Sequence, residues 1–179
     1  MSRMTGFPPQ APAHAISVVL DSNVWIDILV FDDPHTRPIR AGLESGALGA
    51  VIDARCLAEL AYVLDYPQFA GRGIEKADAL AAISRLAREI VPPALPDDAR
   101  PLPQCRDRDD QKFLELARAS GAAWLVSKDR AVLKLARRMA RDFGFRVATP
   151  GVFVAETGLE AGFEAGLEAR LDGTGTDAT

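Results

Sequence analysis

Cysteine and histidine are scarce. The chain has two of each, Cys56, Cys105, His14 and His35. No CxxC or HxxxH spacing occurs, which excludes a structural zinc site of the usual kind. Two isolated cysteines also argue against a disulfide scaffold and predict reduced thiols in a cytoplasmic protein. The chain has no apolar run near the ~20 residues of a membrane span. Its first residues, MSRMTGFPPQAPAHA, are polar and proline-rich and lack the apolar stretch of a signal peptide. An excess of positive charge is missing too: the formal net charge is −4 and the sequence pI about 5.2. A module that binds nucleic acid purely by phosphate attraction would be basic. An acidic balance is still compatible with an enzyme that holds divalent metal, because such a site is built of carboxylates.

What is present suits one soluble α/β domain. The 179 residues, 48% apolar and 26% charged, are enough to bury a core. Residues 1–15 read as a flexible N-terminal arm, 16–155 as the folded domain, and 156–179 as a low-complexity tail in which GLEAGFEAGLEARL repeats every four residues. Apolar runs of strand length occur at Ile16–Leu20, Leu48–Ile52, Ile90–Val91, Trp124–Val126 and Arg146–Ala148. Helical spacing separates them, over about Val24–Leu29, Thr36–Ser45, Ala54–Leu64, Glu75–Glu89, Arg108–Ala119 and Arg130–Phe143. Strands alternating with helices predict a mostly parallel sheet. Ligands of such sheets sit beyond the carboxyl ends of the strands.

Acidic residues gather where that rule points. Asp21 ends the first strand in VVLDSNVW, and Asp129 follows another in WLVSKD. Either would equally serve as the N-cap of the next helix. Glu59 lies among apolar residues in CLAELAYVL, where it is a near-core carboxylate or simply the helix's wet face. Asp107, Asp109 and Asp110 crowd one helix start. The helix dipole favours acids there, but three in four residues exceed what capping needs and repel one another unless a cation sits among them. Carboxylates from four separated segments suit Mg²⁺ or Mn²⁺, hard cations that take oxygen ligands.

The ordered set VVLDSNVW, AEL, RDRDDQKFLELA and LVSKD resembles the PIN domain, over about Ile16 to Val154. It is most similar to the branch of VapC-like ribonucleases, the toxin components of toxin–antitoxin pairs. The resemblance implies a three-layer α/β fold with a four- or five-stranded, mostly parallel sheet and helices on both faces. It implies catalytic acids at Asp21, Glu59, Asp110 and Asp129, with Asp107 as a further metal ligand. Asn23 and Ser127 match the family's supporting polar positions. Arg108 stands where the branch usually has proline. The implied activity is Mg²⁺- or Mn²⁺-dependent cleavage of RNA to a 5′-phosphate and a 3′-hydroxyl. RNA is the implied substrate and a small antitoxin the implied partner; a homodimer is left open. Arg108, Lys112, Lys128 and Arg130 flank the acids and are candidates to grip substrate, or equally a solvated surface. Two other readings compete. A haloacid-dehalogenase-type phosphatase also carries Asp after its first strand, but usually as DxD, and here Asn23 takes the second position. A non-catalytic PIN-like binding module is the other.

Overall fold

A computed structural model describes residues 15–69 and 74–164. The N-terminal arm expected from the sequence, and the tail beyond residue 164, lie outside the described residues. The elements run β1 (Ile16–Leu20), α1 (Ser22–Ile26), α2 (Arg37–Ser45), β2 (Leu48–Ile52), α3 (Ala54–Val63), α4 (Lys76–Leu86), β3 (Ala87–Glu89), α5 (Gln111–Ser120), β4 (Trp124–Val126), α6 (Arg130–Leu133), α7 (Ala136–Phe143), β5 (Arg146–Ala148) and α8 (Pro150–Thr157). A π-helical turn, Asp27–Phe31, extends α1.

The five strands make one sheet in the order β3-β2-β1-β4-β5, and every pairing is parallel. Val18, Val19 and Leu20 are buried in succession, as are Trp124, Leu125 and Val126. Side chains alternate between faces, so consecutive burial means that both faces of these strands are covered. The chain winds outward from β1 in one direction through β2 and β3, and in the other through β4 and β5. Between β1 and β4 the winding reverses, and in open α/β sheets this is where a ligand crevice forms. Leu20 pairs with Val126, so Asp21 and Ser127 leave the sheet side by side.

Several elements differ from the sequence reading, among them the helix expected over Arg130–Phe143, which a turn at Lys134 and Leu135 divides into α6 and α7. The helix expected to run to Glu89 stops at Leu86, and the strand expected at Ile90–Val91 lies at Ala87–Glu89. Ala87, Arg88 and Glu89 pair with Ala50, Val51 and Ile52, while Arg88 and Glu89 are exposed at the sheet edge. Their polar side chains continue the amphipathic helical pattern; only the pairing with β2 makes them a strand. The helix expected from Arg108 begins at Gln111. Asp107 Oδ1 accepts a hydrogen bond from the Asp109 N–H at 3.0 Å and closes a turn instead. Finally, α8 was not anticipated, although Thr149 followed by Pro150 is a helix-start signal. The Thr149 side chain accepts from the Val152 N–H.

Past Gly158, residues 159–164 are again helical, and Leu159 packs onto the core. Its Cδ2 lies 3.1 Å from where a Cβ would stand at Gly42, and Leu48 Cγ lies 2.9 Å from the same point. Glycine lets α2, β2 and this segment meet. Gly42→Val is therefore expected to overpack the junction and cost about 1–3 kcal/mol. Thermal denaturation of the full chain reads this as a fall of several degrees; an unchanged melting temperature would show that Leu159 is not seated there.

Candidate active site

Three aspartates follow strands β1, β2 and β4, and their side chains behave differently. Asp53, after β2, is a cap: it accepts from the Cys56 N–H at 2.9 Å and pairs with Arg55 at 3.1 Å. Burial raises its pKa, but these partners outweigh that and leave it lowered. Asp129, after β4, caps α6, its Oδ1 accepting from the N–H groups of Ala131 at 2.6 Å and Val132 at 3.3 Å. Asp21, after β1, is buried but makes no side-chain cap bond to α1. Its Oδ2 instead accepts from the Ser127 hydroxyl and from the Asn23 amide at 3.2 Å. Burial pushes the Asp21 carboxyl above its ordinary value; the Ser127 bond opposes this and the charge of Glu59 adds to it.

Asp110 precedes α5 and likewise makes no cap bond. Among the described residues its carboxylate has no hydrogen-bond or ion-pair partner. Burial, and then the charges of Asp21, Asp129, Asp107 and Glu59, drive its pKa from 3.8 to about 7. Asp21, Asp129, Asp107 and Glu59 each lie close enough to bias Asp110. Glu59 is partly buried on α3, receives a hydrogen bond from Ser22 Oγ at 2.9 Å, and pairs with Lys112. Asp109 donates its N–H to Asp107 Oδ1 and offers its carbonyl to Lys112.

Sequence reasoning missed two residues that organise the site. Asp27, in the π turn, is buried and pairs with Lys128. Together with Ser127–Asp21 and the Lys128 N–H to Asn23 Oδ1 contact at 3.4 Å, it fastens the loop after β4 to α1. A lone acid inside VWIDILVF was the available signal. Ser22 is the other, since its hydroxyl reaches across to α3 rather than capping its own helix. Of the expected cationic residues, Lys112 and Lys128 are engaged by acids, whereas Arg108 and Arg130 make no ion pair among the described residues. Cys56 and Cys105 are buried and unpaired, and burial pushes both thiols up.

The donor set is oxygen throughout, which suits a hard divalent cation. Asp21 and Asp110, both raised and neither paired with a cation, are the groups such an ion would relieve. As the side chains stand, no three described His, Cys, Asp or Glu residues converge closely enough to hold an ion. Glu59 is turned to Lys112, and one oxygen each of Asp21 and Asp129 is engaged by hydrogen bonds. The set fits the ion by chemistry and charge, with side-chain rotation needed to complete the coordination.

The acids lie beyond the carboxyl ends of a parallel sheet at its switch point, where ligands of open α/β sheets bind. Residues 17–131 match the family model described as PIN domain, and the chain belongs to that family, whose members are generally nucleases that use divalent metals. No curated protein shows a significant match to the chain.

The acid cluster carries a pH signature. Asp110's folded pKa lies above its unfolded value, so its contribution to stability is full below about pH 4 and is lost as pH rises toward 7. In EDTA, Asp110→Asn is expected to match the parent near pH 4. Near pH 8 it is expected to be more stable by about 1–2 kcal/mol, a figure reduced for solvent screening of a partly exposed group. Chemical denaturation at the two pH values tests this; a variant destabilised equally at both would show that Asp110 has a structural role.

Proposed function

We propose that the protein is a Mg²⁺- or Mn²⁺-dependent endoribonuclease and the toxin of a toxin–antitoxin pair. One observation carries the enzymatic reading: Asp110 sits unpaired within reach of four other carboxylates, at the switch point of a PIN-domain sheet. A cluster held at such electrostatic cost is what a cation-binding site requires. Asp21, Asp110 and Asp129 would hold the ion, with Asp107 and Glu59 at its edge. When bound, the ion supplies a water acidic enough to act as nucleophile near neutral pH and positive charge for the phosphorane-like transition state.

The chain's own residues do the remaining work. Ser127 and Asn23 fix the Asp21 carboxylate by hydrogen bonds to its Oδ2. Lys128, anchored on Asp27, holds the β4–α6 loop and with it Asp129. Lys112 pairs with Glu59 and holds it near the cluster. The toxin role and a small antitoxin partner rest on the likeness of RDRDDQKFLELA and LVSKD to that branch. A single described observation favours the second reading, a non-catalytic PIN-like module: no three acids yet converge on an ion position.

Asp21→Asn is expected to lower metal-dependent RNA cleavage by roughly a hundredfold or more and to leave the metal-free fold as stable as the parent or more so. Asp53→Asn, at the matching position after β2, is expected to cost about 1 kcal/mol of stability and to leave cleavage intact. Cleavage by Asp21→Asn at the parental rate would remove the enzymatic reading. A parent that cuts no RNA but hydrolyses phosphomonoesters would return the phosphatase alternative.

A further inference from the structure

Two features flank the acid cluster and are not absorbed by it. On one side is an open cleft of about 640 Å³, lined by Arg106, Arg108, Arg130 and Lys134 with Asp107 and Asp129 at its edge. The four cationic side chains are exposed and make no ion pair among the described residues. This separates them from Lys112 and Lys128, which acids of the site already engage. Asp107 and Asp129 share this lining, so the four cations leave an excess of positive charge around the concavity that attracts a polyanion. Arginine is suited to that role, since its planar fork binds phosphate oxygens in pairs.

On the other side is Tyr62. It lies three residues beyond Glu59 on α3, so the two side chains are surface neighbours. Its ring is 66% exposed, an unusual placement for so large an apolar surface. Tyr66 stands edge-on to it, with ring centroids 5.4 Å apart and an interplanar angle of 81°. This contact fixes the orientation of the Tyr62 ring while leaving area uncovered. Neither phenol makes a hydrogen bond among the described residues.

Sheet order places the two features on opposite flanks. Glu59 and Tyr62 belong to the helix after β2, and Asp129 and Arg130 follow β4, while β1 and Asp21 lie between. The geometry points to one continuous track for a single-stranded RNA across the carboxyl edge of the sheet: its phosphates lie among Arg106, Arg108, Arg130 and Lys134, its backbone crosses the acids, and a base stacks on Tyr62. This rests on the ribonuclease reading and adds to it the residues that grip the strand and the direction in which it lies. Phosphate contacts give affinity without reading sequence, and a stacked base is held whatever its identity.

The two grips have different signatures, and binding measures them without cleavage. Fluorescence anisotropy of a short labelled RNA on the full chain carrying Asp21→Asn provides the reference. Adding Arg130→Glu and Lys134→Glu is expected to weaken binding at least tenfold. It should also flatten the slope of log affinity against log salt by about 1.4, from ~0.7 for each phosphate contact to a single strand. Adding Tyr62→Ala is expected to weaken RNA binding by about tenfold with the salt slope unchanged, and to leave binding of inorganic polyphosphate, which has no bases, as before. Tyr62→Phe should bind RNA like the reference. If the reference protein binds RNA and the charge reversals leave affinity and slope unaltered, the track is wrong. It is also wrong if Tyr62→Ala weakens polyphosphate as much as RNA. If the reference protein, and the parent alike, bind no RNA, the ribonuclease reading itself fails.

Discussion

A carboxylate taken out of water costs several kcal/mol unless a cation, a set of hydrogen bonds or a proton compensates it. Asp21 is buried at the end of the central strand with a hydroxyl and an amide for partners, and no cation. Asp110 has less: no hydrogen-bond or ion-pair partner for its carboxylate among the described residues, and four acids whose charges bear on it. At an effective dielectric near 20, two such charges about 4 Å apart repel by on the order of 4 kcal/mol before screening. The rest of the fold tolerates this expense because its core lies elsewhere, in the doubly covered strands β1, β2 and β4. The acids sit just past the strand ends, where the sheet's winding reverses and the chain leaves a crevice.

The same constraint explains the surrounding polar contacts. Each fastens a site element to its neighbour without neutralising Asp21 or Asp110. Asp27 and Lys128 tie the loop after β4 to α1, Ser22 ties α1 to α3, and Lys112 on α5 meets Glu59 on α3. Asp53 shows the contrast. It occupies the equivalent position after β2, yet it has a helix N–H and an arginine, and its pKa falls rather than rises. Position at a strand end does not raise an aspartate's pKa; burial without a compensating cation does.

Much of this was legible in the sequence. Short apolar runs separated by helical spacing gave β1, β2 and β4, which are largely covered on both faces, and the edge strand β5 was found from Val147 and Ala148 despite exposed Arg146. The fifth, β3, was misplaced because an edge strand with Arg88 and Glu89 exposed carries no such run. The acids were found because they end strands or interrupt apolar helices. For Asp21 and Asp129 the choice between cap and site was not legible: both precede helices, and only tertiary partners separate them. Asp27 was missed for a similar reason. Its burial follows from the π turn, and its partner, Lys128, lies about a hundred positions away.

The proposed function requires the cluster to take up a divalent cation in exchange for the proton that Asp110 holds. Isothermal titration calorimetry of the full-length protein with Mn²⁺, in two buffers of different ionisation enthalpy at roughly pH 6, tests it directly. Asp110, with a pKa of about 7, is then mostly protonated and must give up that proton to bind the ion. The account predicts saturable binding with net release of close to one proton, falling toward zero above about pH 8. Absence of Mn²⁺ binding, or binding with no proton released at the lower pH, would contradict it.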